Sequence, residues 1–429
     1  MGITRRFNSD KPPRCLFCVA IPLRFIITQN KQRSSLPVKP GVRFAGQARR
    51  GGKQKTVYMT SIVAYSESMS KHTVQRIFQQ YLTPGPKISL PLHHLKVLDK
   101  LSTCRTAVLG GHAQYSENNH LNGIWYNSCK HRACPQCRSM PTEEWLINTQ
   151  RVLLDCPHHH VIFTIPSALN DLWRYNQHIM TDILFKATQE TLKQFSKDPQ
   201  YLNATPGILC ALHTRGRNLS LHPHIHVLLS HGGINEKGEW MTPKKENLFP
   251  QKPVMIVYRA KLLALIKNAM KKEKDWQPPP DSRENRITSL LNKLGRQPWV
   301  MHFCKRYEHA EGVAKYLSRY VKSGPLKNKQ IKSVTAEQVK YQYYSHQNKK
   351  TEILTLPTGQ FIQRLLQHAP LPGKPTVRYS GLYHAATRKK LNLARGPHWG
   401  KPKSARVKSS TGNSFWKAEA AYWSVSNVV

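Results

Sequence analysis

Apolar and polar positions between residues 155 and 385 switch repeatedly between a period of two, typical of strands, and a period near 3.6, typical of helices. The predicted elements, in chain order, are a strand at 160–166, a helix at 172–195, strands at 207–214 and 222–230, a helix at 257–271, a strand at 299–304, a helix at 308–322, a strand at 338–345 and a helix at 359–367. Strands joined directly by a turn favour antiparallel pairing. The pattern therefore predicts an α+β fold, with a largely antiparallel sheet and helices on one side.

Four segments differ in pattern and composition. Residues 1–68 are basic without a sustained period, and we expect a disordered extension. Residues 69–154 begin with an amphipathic helix and continue into a cluster of cysteines and histidines, followed by a second helix at 141–154. Residues 155–385 hold the mixed α and β pattern, and residues 386–429 form a basic, weakly periodic arm.

The charge of the chain changes this picture most. The sequence has 66 Lys and Arg against 23 Asp and Glu, a net charge of +43. Such an excess predicts a polyanionic partner, and DNA is the obvious one. No run approaches the roughly 18 to 20 apolar residues of a membrane-spanning helix, so we expect an intracellular protein without a membrane partner. The 9 cysteines are unevenly spaced, which favours reduced thiols or metal ligands over a disulfide framework.

Three of these thiols, Cys129, Cys134 and Cys137, lie within nine positions of one another. Thiolate and imidazole ligands suit a tetrahedral Zn²⁺ ion, which would stabilise a module with few apolar residues of its own. We therefore predict a structural zinc site, with buried free thiols as the alternative. The fourth ligand is open between Cys104, which we favour, His112, His120 and His131.

A second candidate centre lies on the predicted strand 222–230. His224 and His226 are two residues apart, so both imidazoles point to one face of the strand while Ile225 points to the other. Two neutral imidazoles can hold a catalytic divalent ion, Mg²⁺ or Mn²⁺. His213 on the neighbouring strand is a candidate third ligand or a hydrogen-bonding neighbour. The alternative is a surface strand that carries the two histidines by chance.

Two tyrosines lie on the predicted helix at 308–322. Tyr316 and Tyr320 are spaced i, i+4, which places them about 40° apart on one helical face, with Arg319 and Lys322 nearby. Paired phenols of this kind can act as nucleophiles facing one metal ion, and the two cations can neutralise phosphate. Ordinary core tyrosines are the alternative interpretation.

These motifs together resemble the HUH endonuclease superfamily, and more closely the two-tyrosine rolling-circle transposases of the insertion-sequence-91 family. The resemblance covers roughly residues 70 to 385 and rests on Cys104-Arg-Thr-Ala-Val-Leu-Gly-Gly-His112, Tyr126-Asn-Ser-Cys129, Cys134-Pro-Gln-Cys137, His160-Val-Ile-Phe-Thr-Ile-Pro166, Leu212-His-Thr-Arg-Gly-Arg-Asn-Leu219, His222-Pro-His-Ile-His226, Gly232-Gly233 and Tyr316-Leu-Ser-Arg-Tyr320. The sequence departs from relatives in one respect, since the segment from Gln114 to His120 lacks an additional cysteine pair, which leaves the number of zinc ions open.

The resemblance implies a bacterial transposase at the nucleoid that nicks and transfers single-stranded transposon ends through a 5′-phosphotyrosine. It implies Tyr316 and Tyr320 as nucleophiles, His224 and His226 as ligands of Mg²⁺ or Mn²⁺, an N-terminal zinc-binding module, an HUH domain at 155–385 and no nucleotide cofactor. A plasmid replication initiator or relaxase would use the same residues, although no helicase phosphate-binding loop is present. A non-catalytic zinc-containing DNA-binding protein is the alternative from another class.

Overall fold

The computed structural model describes residues 24–27, 55–58, 73–82, 90–116, 118, 120–137, 139–243, 245–280, 282–304, 306–321, 324–345 and 348–398. Most of the predicted extension at 1–68 and the part of the predicted arm beyond 398 lie outside these residues. Among the helices that are described, none combines the length and the apolar composition needed to cross a membrane.

The helices are α1 (Val74–Leu82), α2 (Leu92–Ser102), α3 (Ser139–Gln150), α4 (Asn170–Tyr175), α5 (Gln177–Lys197), α6 (Gln251–Lys272), α7 (Glu284–Arg296), α8 (Ala310–Val321), α9 (Thr358–Leu366) and α10 (Arg388–His398). The strands are β1 (Arg24–Ile27), β2 (Lys55–Tyr58), β3 (Gly111–Tyr115), β4 (Leu121–Tyr126), β5 (His158–Thr164), β6 (Thr205–Arg215), β7 (Leu221–Ile234), β8 (Trp240–Met241), β9 (Met301–Phe303), β10 (Ile331–Val334), β11 (Gln338–Ser345), β12 (Lys350–Pro357) and β13 (Val377–Gly381).

The largest sheet has the strand order β13-β6-β7-β5-β9, with β8 paired to β7. Every pairing in it is antiparallel, which confirms the predicted α+β class. Strands β6 and β7 follow one another through a short polar turn, as their sequence pattern predicts, and β7 is the long central strand to which both β5 and β6 bond. Residues on β7 consequently have neighbours on both sides.

The two faces of this sheet pack against different sets of helices. Phe163, Ile225 and Val227 point to the face covered by α4, α5, α6 and α7, where the largest apolar cluster lies. Leu209 and Leu228 point to the opposite face and pack with residues of α8 and α10. The sequence pattern predicted helices on one side of the sheet, whereas helices cover both faces. The short amphipathic α8 gives no sign in the sequence of which face it will cover.

A separate apolar cluster unites segments that are distant in the sequence. Phe78 and Leu98 of α1 and α2 pack with Tyr341 of β11 and with Phe361 of α9. Cys134 belongs to the same cluster, so the cysteine-rich segment and residues 326–369 share one core. Strands β10, β11 and β12 form a three-stranded sheet within this unit. The boundaries predicted at 154/155 and 385/386 stay predictions.

Local differences from the predicted elements have local causes. The helix predicted at 172–195 is two helices, because Asn176 leaves the helical conformation and bonds through its side chain to the carbonyl of Gln277 at 2.7 Å. Helix α7 was missed behind a proline-rich connector, although Ile287, Leu291 and Leu294 have helical spacing and are buried.

Candidate metal centres and active site

The four thiols of Cys104, Cys129, Cys134 and Cys137 converge, with all four sulfur atoms within 4.8 Å of one another. The Sγ atom of Cys104 is 3.3 Å from that of Cys137 and 3.6 Å from that of Cys134. Sulfurs bound at about 2.3 Å to one tetrahedral ion lie about 3.8 Å apart, so the cluster is close to the size that Zn²⁺ requires. Hydrogen bonds from the other three thiols, most of all from Cys104, lower the pKa of the Cys137 thiol and so favour its thiolate form.

The remaining predicted zinc ligand lies elsewhere. His112 on β3 is exposed and stacks on Trp125 of β4, with ring centroids 6.0 Å apart. His131 instead turns toward its own loop, since its Nδ1 accepts a hydrogen bond from the backbone N–H of Ala133 at 3.2 Å. The structure therefore brings Cys104, and not His112, to the three clustered thiols.

Three imidazoles form the second centre on the sheet face that packs against α8. The ring nitrogens of His213, His224 and His226 lie within 4.8 Å of one another. His213 is paired with His224 across the β6–β7 register, and His226 follows on the same face of β7. The Nε2 atoms of His224 and His226 are 3.1 Å apart. Two nitrogens bound at about 2.1 Å to one ion are about 3.0 to 3.4 Å apart, so both imidazoles fit a single cation.

Hydrogen bonds at the outer nitrogens orient two of these rings. The Nδ1–H of His224 donates to the carbonyl oxygen of His222 at 2.6 Å, which leaves its Nε2 lone pair free to face a metal. The Nδ1 of His226 lies 2.8 Å from the Nε2 of His160, a residue of β5. The rings of His226 and His160 are stacked at 5.0 Å. Hydrogen bonds at the ring nitrogen that faces away from the ion are typical of metal-binding histidines and fix the orientation of the ring.

Burial keeps this centre neutral. It lowers the pKa of His224 and of His160 to about 4, and it lowers the pKa of His213 and of His226 well below the ordinary value. The positive charge of Arg215 lowers the pKa of His213 and His224 further. Neutral imidazoles are the form that binds metal ions. Within the described part of the chain, no Asp or Glu belongs to the group.

Helix α8 brings the predicted tyrosine positions to the same sheet face. Its buried residues Ala314, Leu317 and Val321 pack with Leu209 and Leu228, which lie on the same sheet face as the histidines of β6 and β7. Val321, the last residue of α8, lines one cavity together with His213. The end of the tyrosine-bearing helix and the imidazole cluster are therefore neighbours.

The side chains of Tyr316, Arg319 and Tyr320, and the whole of Lys322, lie outside the described residues. Their roles stay predictions. The backbone of α8 does hold positions 316 and 320 one helical turn apart, beside the buried stripe that anchors the helix.

Two functional neighbours escaped the sequence patterns. The sequence pattern placed His160 in a buried strand and His222 at the start of the strand at 222–230, without a role for either. The alternation of β5 carried a usable signal, because His160 must point away from the cluster that holds Val161 and Phe163. The partner of His160 across the strands, His226, could not be predicted without the β5–β7 register, which pairs Ile162 with His226.

Two family models match this chain. The model described as "Putative transposase" matches residues 207–390, and the model described as "Transposase zinc-binding domain" matches residues 73–165. Together they include the imidazole cluster, α8 and the four clustered thiols.

Curated relatives carry the same description. "Putative transposase y4qJ" of Sinorhizobium fredii (strain NBRC 101917 / NGR234) is 30% identical over 300 residues, which cover 68% of this chain and 75% of the relative. "Transposase for insertion sequence element IS801" of Pseudomonas savastanoi pv. phaseolicola is 29% identical over 296 residues, covering 67% of this chain and 69% of the relative.

Among solved structures, the relaxase TrwC in complex with a 27-mer DNA that comprises a recognition hairpin and cleavage site is 16% identical, with a TM-score of 0.22, and the match covers 38% of this chain and 67% of that chain. A metal-bound TrwC complex with oriT DNA is 15% identical, with a TM-score of 0.23 over 40% of this chain and 67% of that chain.

Proposed function

Because this chain belongs to the insertion-sequence-91 family of transposases, we propose that it nicks and transfers single-stranded DNA at transposon ends through a 5′-phosphotyrosine. One observation carries the proposal. The imidazoles of His213, His224 and His226 converge on the sheet face against which the helix of Tyr316 and Tyr320 packs. A metal site beside a helix with two predicted nucleophiles is the arrangement that this chemistry requires.

In the proposed reaction, the hydroxyl oxygen of Tyr316 or Tyr320 attacks the scissile phosphorus. The tyrosine loses its proton, a bond forms between its oxygen and phosphorus, and the bond from phosphorus to the 3′-oxygen breaks. The departing 3′-oxygen takes up a proton and leaves as a hydroxyl, while the 5′-phosphate stays on the enzyme. The second tyrosine can hold a second strand in the same way. The free 3′-hydroxyl later attacks the phosphorus of a phosphotyrosine, so that a new phosphodiester forms, the bond from phosphorus to the tyrosine oxygen breaks, and the tyrosine takes back a proton. No bond energy is lost, so no nucleotide cofactor is needed.

A divalent ion, when bound, supplies positive charge at a non-bridging oxygen of the phosphodiester. The protein holds the three imidazoles neutral by burial and aims the His224 ring through the carbonyl of His222. Arg319 and Lys322 are proposed to neutralise neighbouring phosphates. Cys104, Cys129, Cys134 and Cys137 are proposed to hold a structural Zn²⁺, since their spacing fits that ion.

Between the two expected catalytic ions, the ligand set favours Mn²⁺. Magnesium prefers oxygen ligands and retains water, whereas Mn²⁺ accepts imidazole nitrogens more readily than Mg²⁺ does. The cluster offers three imidazoles and, among the described residues, no carboxylate. We therefore expect cleavage at lower concentrations of Mn²⁺ than of Mg²⁺.

The test is a covalent-adduct assay. Purified protein is incubated with labelled single-stranded oligonucleotides carrying the ends of its own element, with Mn²⁺, and the products are separated in denaturing gels. We expect an adduct that the double variant Tyr316→Phe/Tyr320→Phe no longer forms and whose modified peptide contains one of these tyrosines. The single variants serve as the comparison, since each retains one phenol.

The absence of any adduct with correctly ended substrates would contradict the proposal. It would favour the non-catalytic zinc-containing DNA-binding protein, in which the imidazoles and α8 are structural. A nick at a replication or transfer origin but not at transposon ends would favour the initiator or relaxase alternative.

A further inference from the structure

A cavity separates the cysteine-rich loop from the end of α8 and from β6. Its volume is about 70 Å³, and it opens to solvent. This is well below the roughly 300 to 1,000 Å³ of sites that enclose a whole small molecule, so the cavity has room for a single group such as a phosphate. Its wall combines residues of three regions: Arg132 and Ala133 from the loop, His213 and Arg215 from β6, and Lys374 from the segment before β13. The cavity has an apolar side as well, formed by Trp173 and Leu212. No Asp or Glu of the described chain lines it.

Arg132 is the unusual residue of this wall. It lies between the proposed zinc ligands Cys129 and Cys134, yet its Nη1 donates a hydrogen bond across the cavity to the hydroxyl of Thr376. Its guanidinium is positively charged at neutral pH. Among the described residues, Thr376 accepts a hydrogen bond from Arg132, and no carboxylate forms an ion pair with Arg132. Four other N–H bonds of the guanidinium are available for an anion.

Lys374, another cation of the wall, does have a carboxylate partner. Lys374 forms an ion pair with Asp182, which also pairs with Arg378. One carboxylate therefore serves two cations, and it lies outside the cavity wall. A half-buried arginine without a carboxylate partner is costly unless an anion completes the site. The charge of the cavity is thus complementary to a phosphate.

The position of the cavity relates this charge to the imidazole cluster. His213 belongs to both. Gly324, just beyond α8, approaches the loop so closely that a Cβ atom there would lie 2.2 Å from the carbonyl oxygen of Ala133. The cysteine-rich loop is consequently seated against the chain that follows the predicted nucleophiles.

We propose that this cavity binds a backbone phosphate of the single-stranded DNA next to the cleaved phosphodiester, and that Arg132 contacts this phosphate. The zinc module then forms part of the DNA channel at the active site, and its zinc ion holds the loop that presents Arg132. This inference rests on the proposed function for its placement beside the scissile bond.

A binding assay without Mg²⁺ or Mn²⁺ separates this inference from the cleavage chemistry. The probe is fluorescein-labelled oligothymidylate, and its anisotropy is measured with the full chain over a range of salt concentrations. We expect Arg132→Gln to weaken binding roughly tenfold and to lower the salt slope by about 0.7, the value for one lost phosphate contact.

Two controls define what this result means. Thr376→Val removes the hydrogen bond to Arg132 but keeps the guanidinium, so binding should stay close to that of the natural protein. Lys130→Gln removes an exposed cation from the same loop and should have a smaller effect. An equal loss of DNA affinity in Arg132→Gln and Thr376→Val would show that Arg132 acts only through its hydrogen bond within the protein. An equal loss of DNA affinity in Arg132→Gln and Lys130→Gln would show that it contributes only general positive charge. Either outcome overturns the proposal.

A second measurement needs no variant. The natural protein is treated with phenylglyoxal, which modifies arginine, with and without oligothymidylate, and the peptides are quantified by mass spectrometry. We expect DNA to protect Arg132 severalfold more than the exposed Arg174 on α4. Unchanged modification of Arg132 would overturn the proposal, whereas absence of the tyrosine adduct with protection intact would contradict only the proposed function.

Discussion

His213 on β6 lies directly opposite His224 on β7, with their ring centroids 5.3 Å apart. Residues opposite one another in an antiparallel pair point to the same face of the sheet. The hairpin therefore delivers a third imidazole to the pair of His224 and His226 without any contribution from a loop. A metal site built on two strands is held by the ladder of backbone hydrogen bonds, which limits how far its ligands can move apart.

Replacing this cross-strand imidazole should weaken metal binding directly. We expect His213→Ala to lower the affinity for Mn²⁺ by at least about tenfold, because one of three nitrogen ligands is lost. The measurement is isothermal titration with Mn²⁺ on zinc-loaded protein. His178→Ala, which changes an exposed histidine of α5, is the matched control. Equal Mn²⁺ affinity in the two variants would show that His213 is only a neighbour of the site.

His160 should act on the metal through His226. Its Nε2 is 2.8 Å from the Nδ1 of His226, so it fixes the orientation of that ring without facing the ion itself. We expect His160→Ala to reduce Mn²⁺ affinity about 10 to 100-fold. His160→Gln retains a hydrogen-bonding group and should recover part of the loss. If both variants bind Mn²⁺ as the natural protein does, His160 has no positioning role.

The zinc ligands can be distinguished by metal content. We expect Cys104→Ser and Cys134→Ser to purify with little zinc, and His112→Ala to retain the natural amount, because the ring of His112 stacks on Trp125 instead of facing the thiols. Zinc per chain is measured by plasma mass spectrometry. Loss of zinc in His112→Ala, with zinc retained in Cys104→Ser, would reverse this assignment.

The stability of the central sheet should depend on pH through His158. Its ring is buried between the carbonyl of Cys156 and the hydroxyl of Tyr383, 2.6 Å from its Nε2, and burial lowers its pKa from 6.5 to about 4. Protons therefore bind the unfolded chain more readily between these two values. The stabilising contribution is fully present above pH 6.5 and is lost as the pH falls toward 4, by about 3 kcal/mol at most.

Urea titrations across this range test the expectation. The free energy of unfolding should fall less steeply with decreasing pH in His158→Gln, which cannot be protonated. Equal slopes in His158→Gln and the natural protein would contradict it. Other buried histidines contribute to the total slope, so the difference between the two proteins is the quantity of interest.

The strand that carries the candidate metal ligands was predicted from the sequence more accurately than the residues and elements that surround it. The period-two pattern of β7 placed His224 and His226 on one face, and that placement depends only on local backbone geometry. The partner His160 required the β5–β7 register, and the partner Thr376 of Arg132 required the position of β13 beside β6. Such long-range pairings leave no periodic trace in a single sequence. Short hairpins such as β3–β4 were also missed, since their mixed residues alternate only weakly.

The shared core of the cysteine-rich segment and residues 326–369 bears on how relatives of this protein can be recombined. Phe78 and Leu98 precede the largest sheet in the sequence, whereas Tyr341 and Phe361 lie between its strands β9 and β13. In a chimaera that exchanges only the N-terminal segment, the two parts of this apolar core would come from different proteins, and their side chains would not pack well together. Exchange of the N-terminal segment between relatives should therefore give a folded protein only when both segments are transplanted together, with the sheet and its imidazoles left in place.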